Sequence, residues 1–309
     1  MINSDKLVSI LIPVYNREKY IVESINSALS QTYKNIEVVV VDNCSTDNTW
    51  EVISRIALED NRVKIFRNEE NLGPVLNWEK CFINAKGDYV KILWSDDLFA
   101  SDYIEKSIIH FDTNIAFVLT GYDIFEDSTK KVLYKSTFNS KNYSVDFYLK
   151  QNILYNSIDF PVSPGSSIFR KSDIETCLIT DIPNSDNIDF KKTGAGNDLL
   201  LMLLVANIHK NAKILCIKEN LSKFRAHENS ISIENRLDLN YEYARSYFVK
   251  NFANELAGYY KIKIFLIKIF NKKYINIYQE QIQKNISIIN VFCYLTIMSC
   301  YKLYFKFFK

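Results

Sequence analysis

The chain has 309 residues, 48% of them hydrophobic and 24% charged, which is enough to bury a large core in one domain with or without an appendage. The net charge of +2 excludes a chain that is strongly acidic or basic as a whole, although local asymmetry is still allowed. The six cysteines are scattered without paired short spacings, so the sequence predicts neither a zinc site nor a disulfide framework and is typical of a reducing compartment.

The first half of the chain alternates apolar runs with helical patterns. Its first run is short and contains Pro13, so it is predicted to be a buried strand and not a signal peptide. Because the runs lack polar alternation, they predict strands that are covered on both faces. Helices between such strands favour an α/β fold with a doubly wound, mostly parallel sheet flanked by helices. The predicted strands of this half occupy residues 8–12, 36–41, 63–66, 89–94 and 115–119.

Polar residues directly follow three of these strands. Asn16 follows the first strand, Asp42 the second, and Asp96 and Asp97 the fourth. In a parallel sheet these carboxyl ends share one edge, where open α/β sheets bind ligands. Two adjacent carboxylates are costly to desolvate unless a hard cation such as Mg²⁺ or Mn²⁺ binds them. An isolated Asp-Asp pair is more often an exposed acidic turn, but the convergence of three loops favours a ligand site.

Two later segments carry further candidate functional side chains. Asp198 immediately precedes a helix predicted over residues 199–208. A carboxylate at this position is stabilised by the positive end of the helix dipole. It is either a functional group or simply the N-cap of that helix. Arg225 and His227 follow a strand predicted at 214–217 and lie two residues apart in an extended segment, so their side chains point the same way. Both are therefore candidates for binding one phosphate together.

The late appearance of glycine excludes several nucleotide-binding motifs. The first glycine is Gly73, so no glycine-rich loop follows the first strand. This argues against a Rossmann dinucleotide fold, a P-loop and the glycine-rich opening of sugar-nucleotide pyrophosphorylases. A bound nucleotide would have to be held by side chains, strand-end backbone groups and metal.

Seven short motifs occur in order at residues 8–16, 41–47, 71–73, 85–88, 95–97, 197–198 and 224–227. Each is weak alone, but in this order the sequence resembles family 2 glycosyltransferases with the GT-A fold over about residues 5–232. The resemblance implies inverting sugar transfer from a nucleotide-diphosphate sugar. It also implies that Pro13, Tyr15 and Asp42 line the base and ribose site. The other nucleotide-binding residues that it implies are Asn16, Asn71, Asp96, Arg225 and His227.

The resemblance further assigns a metal site and a base. Asp97 is expected to bind a divalent metal, Mn²⁺ or Mg²⁺, that bridges the diphosphate, with Asp96 beside it. Asp198 matches the general base that takes the proton of the acceptor hydroxyl. Four positions depart from the family pattern: Asn43, Asn77, Trp94 and Asn197. The departures at Asn43, Trp94 and Asn197 raise the alternative of a catalytically decayed, membrane-associated binding protein.

The sequence predicts a catalytic domain over residues 1–232 and a helical, basic and aromatic region over residues 233–309. From about Tyr259, lysines alternate with large apolar residues, which is typical of helices in a membrane interface. The most apolar piece, Ile286 to Tyr301, is shorter than the ~20 residues that span a bilayer. Alternatively, these helices pack on the catalytic domain or on a second subunit, giving a homo-oligomer. Without an RNA motif or an arginine-rich face, nucleic-acid binding is not expected.

These observations predict a metal-dependent inverting glycosyltransferase that is cytoplasmic and peripheral on the inner face of the cytoplasmic membrane. The expected acceptor is a polyprenyl-diphosphate-linked glycan of a bacterial surface polysaccharide, such as an O-antigen, a capsule or a lipooligosaccharide. A nucleotidyltransferase on a similar sheet is a further alternative, disfavoured by the missing glycine-rich opening.

Overall fold

The computed structural model describes residues 5–155, 158–227 and 237–270. Its strands are β1 (Val8–Val14), β2 (Ile36–Asp42), β3 (Val63–Arg67), β4 (Tyr89–Ile92), β5 (Leu98–Phe99), β6 (Ile115–Glu126), β7 (Val132–Lys135), β8 (Lys141–Ser144), β9 (Ser167–Arg170) and β10 (Lys213–Ala226). Its α-helices are α1 (Ile21–Leu29), α2 (Thr49–Glu59), α3 (Pro74–Asn84), α4 (Tyr103–Ile108), α5 (Val145–Lys150), α6 (Lys171–Cys177), α7 (Asn197–Ile208), α8 (Asp238–Phe252) and α9 (Ala257–Phe270).

The described strands form one large mixed sheet in the order β3-β2-β1-β4-β9-β6-β10-β5, with β7 beside β6 and β8 beside β10. The longest ladders, β1 with β2 and β6 with β10, are parallel. The predicted α/β class, with a large and mostly parallel sheet flanked by helices, is therefore confirmed. One feature was not predicted: β9 enters antiparallel between β4 and β6.

The sheet is buried on both faces, as the continuous apolar runs predict. Along β1, Ile10 and Ile12 face a core that includes side chains of α1, α2 and α4. Leu11, between them, faces a larger core that includes side chains of α3, α5 and α7. Since successive side chains of a strand point to opposite faces, a strand between two cores must be apolar at nearly every position.

Strand β10 is longer than the sequence predicts. The sequence indicates a short strand over 214–217 and a separate segment near Arg225, because polar residues lie between them. In the structure one strand continues through this polar stretch, with register shifts on both sides of Asn220. Gly121 on the neighbouring β6 leaves the space for this irregularity, since a Cβ there would lie 2.3 Å from Asn220 Oδ1. The bulge thus lets β10 reach the site.

Helix α8 and the first turns of α9 pack into the larger core. Tyr260 and Ile264 of α9 are each 1% exposed and belong to that core. Residues 238–264 therefore pack on the larger core formed with the preceding residues. The boundary at 232/233 stays a prediction, and residues 271–309, which carry most of the membrane-interface pattern, lie outside the described residues. No helix within the described ranges is long and apolar enough to cross a membrane.

A buried charge cluster fastens α8 to α9. Glu242 Oε1 accepts a hydrogen bond from Arg245 at 2.6 Å and lies 3.6 Å from Lys263 Nζ, and Tyr260 OH donates to Glu242 Oε2 at 3.0 Å. Burial acts to raise the pKa of Glu242, but the two cations and their hydrogen bonds outweigh burial and hold it below its usual range. Lys263 also donates to the carbonyl of Ile153 at 2.7 Å, so this lysine faces the core and not a membrane surface.

Replacing Glu242 with Gln should destabilise the protein strongly, because two buried cations would lose their counter-charge. Removing one partner of a buried ion pair costs about 3–5 kcal/mol. Urea unfolding followed by circular dichroism would measure the loss. Glu255→Gln, at an exposed position between the two helices, is the matched control and should leave stability nearly unchanged. Equal unfolding midpoints for the two variants would contradict a structural role for the cluster.

Candidate active site

The loops after β1, β2 and β4 meet at one edge of the sheet, as predicted from the sequence. Thr46 N, in the loop after β2, donates to Asn16 Oδ1 at 2.8 Å. Arg17 Nε, in the loop after β1, donates to Asp96 Oδ2 at 3.2 Å. Asn16 adopts a left-handed conformation, with φ of 51°, which Asn tolerates better than most residues. Next to it, Tyr15 is 38% exposed at the mouth of this edge.

Asp42 is completely buried below the loop that follows β2. Its carboxylate accepts hydrogen bonds from the backbone N–H and the hydroxyl of Ser45, and Arg67 Nε lies 3.1 Å from its Oδ2. The Arg67 guanidinium also lies over the ring of Trp50, with 5.2 Å to the ring centroid. The carboxylate is thus held by its own loop and by an arginine that the sequence analysis did not identify. Its predicted contact with the base or ribose stays a prediction.

Two of the departures from the family pattern belong to one network of amide side chains. Asn43 Nδ2 donates to Asn71 Oδ1 at 2.8 Å, and Asn68 Nδ2 donates to both Asn43 Oδ1 and Asn77 Oδ1 at 2.9 Å. Asn77 in turn donates to the carbonyl of Val41 at 3.0 Å. Asn43 and Asn77 are therefore connected through Asn68, and Asn43 also holds Asn71 by a hydrogen bond.

The Asp96–Asp97 pair follows β4, and the pKa values of its two carboxyl groups are shifted in opposite directions. Asp97 is 6% exposed and its Oδ1 accepts the backbone N–H of Arg225 at 2.7 Å. Burial, reinforced by the neighbouring Asp96, raises the pKa of Asp97 well above its usual range. Burial also acts to raise the pKa of Asp96, but a hydrogen bond with His227 and the charge of Arg17 outweigh it and lower this pKa. One carboxylate is therefore ionised and paired, while the other lacks a full counter-charge.

This donor set fits the predicted Mn²⁺ or Mg²⁺. Hard divalent cations at nucleotide sites take one or two carboxylates and complete their coordination with phosphate oxygens and water. Within the described part of the chain, His, Cys, Asp and Glu side chains form no group of three or more that could hold a metal without a substrate. Asp97 and Asp96 are the residues that would hold a cation, and metal binding stays a prediction.

Arg225 and His227 both contact Asp96, which was not predicted from the sequence, and Arg225 has two further acidic partners. Its guanidinium donates to Glu23 Oε2 at 2.6 Å, to Asp127 and, through Nε, to the Asp96 carbonyl at 2.7 Å. His227 Nε2 lies 3.0 Å from Asp96 Oδ2. The arginine therefore joins α1, β6 and the Asp96 loop. Whether either residue contacts a diphosphate stays a prediction.

A second cation, Lys91, lies in the core below the pair. It is 0% exposed on β4, and its Nζ donates to the carbonyls of Ile92 at 2.9 Å and of Gly165. The ammonium also lies 4.5 Å from the centroid of the Tyr103 ring. Burial lowers the pKa of Lys91 to about 7, against the opposing effect of Asp97. In the sequence this lysine lies inside an apolar run, so it was not predicted to be part of the site.

Two tryptophans link the Asp96–Asp97 loop to the segment that precedes Asp198. The rings of Trp94 and Trp78 have centroids 5.0 Å apart, and Trp94 Nε1 donates to Ser163 Oγ at 3.0 Å. Gly194, with φ of 71°, packs directly on Trp78, and a Cβ there would lie 2.4 Å from the indole ring. Trp94, one of the departures from the family pattern, thus belongs to an aromatic contact that positions the loop before α7.

Asp198 lies in the first turn of α7 and is 8% exposed. It is not the N-cap, which is Gly196. Its Oδ1 accepts the backbone N–H groups of Gly196 at 2.8 Å and Leu199 at 2.7 Å, and its Oδ2 accepts the hydroxyl of Tyr241 at 3.1 Å. Burial raises the pKa of Asp198 to about 7 against these hydrogen bonds. A carboxyl group with this pKa can take up and release a proton near neutral pH.

Gly194→Ala should destabilise the protein, because a methyl group would clash with Trp78 and because a positive φ disfavours alanine. Overpacking of this kind costs about 1–3 kcal/mol. Gly258→Ala is the matched control: nothing lies within 4 Å of a Cβ at that helical glycine, so the variant should be unchanged or slightly more stable. Thermal unfolding of both variants measures the difference. Equal melting temperatures would show that the contact with Trp78 does not constrain the loop.

The model of the family "Glycosyl transferase family 2" matches residues 9–177 of the chain. TuaG of Bacillus subtilis, named for teichuronic acid biosynthesis, is 33% identical over half of this chain and 61% of its own length. WfaP of Escherichia coli, a UDP-Glc:alpha-D-GlcNAc-diphosphoundecaprenol beta-1,3-glucosyltransferase, is 38% identical over 40% of this chain and 48% of its own.

Among solved structures, Staphylococcus aureus TarS (residues 1–349) in complex with UDP-GlcNAc superimposes with a TM-score of 0.62 at 18% identity. The superposition covers 94% of this chain and 80% of TarS. At this identity the likeness shows the fold alone, and it agrees with the sheet and helices described above. The family match covers more than half of the chain and includes both Asp42 and the Asp96–Asp97 pair. The chain belongs to glycosyl transferase family 2 and is a glycosyltransferase with the GT-A fold.

Proposed function

We propose that this glycosyltransferase transfers a sugar, with inversion, from a uridine-diphosphate sugar to a lipid-linked glycan acceptor. The observation that carries the proposal is the buried carboxylate of Asp198, which is held at both oxygens and has a pKa of about 7. The loop before it packs on the tryptophan pair that adjoins the Asp96–Asp97 turn. Direct displacement at an anomeric carbon is assisted by a base for the acceptor hydroxyl and by a cation that stabilises the leaving diphosphate, and Asp198 and the Asp96–Asp97 pair are the candidates for these two roles.

In the proposed reaction Asp198 accepts the proton of the acceptor hydroxyl while that oxygen attacks the anomeric carbon. The bond between this carbon and the diphosphate oxygen breaks, and its electron pair leaves with the diphosphate. Direct displacement inverts the anomeric centre and needs no covalent intermediate on the protein. A divalent cation held by Asp97 and Asp96 would neutralise negative charge on the leaving diphosphate.

The relatives support the substrate classes. WfaP is named for a UDP-glucose donor and a diphosphoundecaprenol-linked acceptor, and TarS was solved with UDP-GlcNAc. TuaG is named for teichuronic acid biosynthesis. We therefore place the proposed acceptor on a polyprenyl diphosphate, and the proposed pathway in bacterial surface polysaccharide synthesis.

A lipid-linked acceptor would bring the enzyme to the inner face of the cytoplasmic membrane. Residues 271–309 carry six lysines and one glutamate among many aromatic and aliphatic residues. Each lysine near an anionic surface contributes about 1 kcal/mol to binding. We propose that this segment attaches the enzyme peripherally to the membrane. The first turns of α9, which precede it, pack on the core instead.

Asp198→Asn should lower turnover by roughly 10²–10⁴-fold, because the amide cannot accept the proton. The assay incubates the purified chain with UDP-glucose or UDP-GlcNAc and a short-chain GlcNAc-diphospholipid, and it measures UDP and glycosylated lipid. Asp146→Asn, an exposed aspartate on α5 with a 70% exposed side chain, is the control and should retain full turnover. Release of pyrophosphate would contradict sugar transfer in favour of nucleotidyl transfer. Unreduced turnover in Asp198→Asn would contradict its role as the base.

A chain that ends at residue 270 should lose binding to vesicles that contain phosphatidylglycerol, whereas the full chain should bind them and sediment with them. Residue 270 is the chosen end because Tyr260 and Lys263 help to hold the catalytic domain together. Vesicles of pure phosphatidylcholine are the control for the electrostatic contribution. Equal sedimentation of both chains would refute attachment through residues 271–309.

A further inference from the structure

Tyr241 contacts Asp198 from a different part of the chain. It lies in the first turn of α8, and its hydroxyl donates to Asp198 Oδ2 at 3.1 Å. The other carboxylate oxygen is occupied by the backbone N–H groups of Gly196 and Leu199. Both oxygens are therefore held, and Tyr241 is the side chain that holds the one not fixed by backbone.

The start of α8 is itself fixed against the loop that carries Asp198. Asn240 Nδ2 donates to Thr193 Oγ1 at 3.3 Å and to the carbonyl of Ala195 at 3.4 Å. Gly196 approaches so closely that a Cβ there would lie 2.8 Å from the Asn240 carbonyl. One turn further on, Arg245 Nε donates to the carbonyl of Asn152 at 2.7 Å. These contacts determine where the Tyr241 hydroxyl lies relative to α7.

We propose that Tyr241 is a positioning residue that orients the Asp198 carboxylate for proton transfer from the acceptor. The proposal rests on the proposed function, in which Asp198 is the base. It makes α8, which lies outside the part of the chain matched by the family model, a component of the active site.

The hydrogen bond also favours the ionised form of Asp198. Burial raises the pKa of this carboxyl to about 7, and the Tyr241 hydroxyl acts in the opposite direction. Burial and the adjacent Asp198 both raise the pKa of Tyr241, so its hydroxyl remains protonated and able to donate at neutral pH. Since the base must be ionised to act, losing this donor would shift the acid side of the pH–rate profile upward.

The charged groups around this pair are matched with one another. Arg245 on α8, which acts to lower the pKa of Tyr241, is paired with Glu242. The other ion pairs on these elements include Lys191 with Asp181 and Lys192 with Asp189 near the loop, Asp173 with His209 between α6 and α7, Lys171 with Glu175 on α6, and Lys150 with Asp146 on α5. Titration of Asp198 therefore depends on its burial and on its own hydrogen bonds.

The test is the titration of Asp198 in Tyr241→Phe, which keeps the ring and removes the hydroxyl. The carboxyl carbon of Asp198 is followed by NMR in protein labelled at aspartate, and its signal is assigned by its loss in Asp198→Asn. Without the hydrogen bond the pKa of Asp198 should rise by roughly 1, which corresponds to one charge-assisted hydrogen bond. In the pH–rate profile for UDP-glucose or UDP-GlcNAc, the acid limb should move to higher pH by the same amount. Tyr247→Phe, on the same helix, is the control and should change neither curve.

An unchanged titration of Asp198 in folded Tyr241→Phe would overturn the proposal. If that variant does not fold, 3-fluorotyrosine placed at position 241 gives the same test with the opposite sign. Its more acidic phenol is a stronger donor and should lower the pKa of Asp198, and no change would again overturn the proposal. The titration needs no turnover, so it separates the two claims. Full activity of Asp198→Asn would remove the proposed base while the hydrogen-bond effect on titration could still be measured.

Discussion

The site depends on three buried carboxylates, of which Asp42 and Asp97 lie at the carboxyl edge of the sheet and Asp198 lies in the first turn of α7. An uncompensated buried carboxylate would be neutralised or would unfold its surroundings. The chain compensates each one differently. Asp42 has Arg67 and its own loop, and Asp198 has backbone N–H groups and Tyr241. Asp97 accepts the backbone N–H of Arg225 and lies near the charges of Lys91 and Arg225, but burial and the adjacent Asp96 outweigh them and leave its pKa raised.

Compensation also explains why distant segments must meet. Arg225 is 128 residues from Asp97 in the sequence, yet its backbone N–H binds that carboxylate, and its guanidinium joins Glu23 and Asp127. The long β10 strand and its bulge bring it there. The side chain of Arg225 is 1% exposed, so it acts in this structure as an internal link between α1, β6 and the Asp96 loop.

Most of the sheet was predictable because its strands are apolar on both faces and end in polar residues at one edge. Asn16, Asp42 and Asp96 followed from that pattern. Lys91 did not, because a lysine inside an apolar run gives no sign that its ammonium will bind carbonyls in the core. The antiparallel position of β9 and the continuity of β10 could not be predicted from local sequence patterns either, because both depend on pairing between distant strands. Gly121, which makes room for the bulge, is recognisable only once its neighbour is known.

The structural role of two departures from the family pattern could not be predicted from the sequence either. Asn43 and Asn77 look like two separate losses in the sequence, and Asn43 was one of the residues that suggested a decayed site. In the structure Asn68 joins them in one amide network. Tyr241 was missed for another reason: the sequence places the end of the catalytic region before α8, whereas α8 packs on α7 and contributes a hydrogen bond to Asp198.

We propose that the strand-end carboxylates form a metal-assisted nucleotide site. The decisive measurement is a calorimetric titration of UDP into the full chain and into Asp97→Asn, each with and without Mn²⁺. We expect UDP to bind the native chain only when Mn²⁺ is present and not to bind the variant. UDP binding of equal affinity without metal or in Asp97→Asn would show that Asp97 holds no such metal, and a failure to bind UDP under either condition would exclude the nucleotide site.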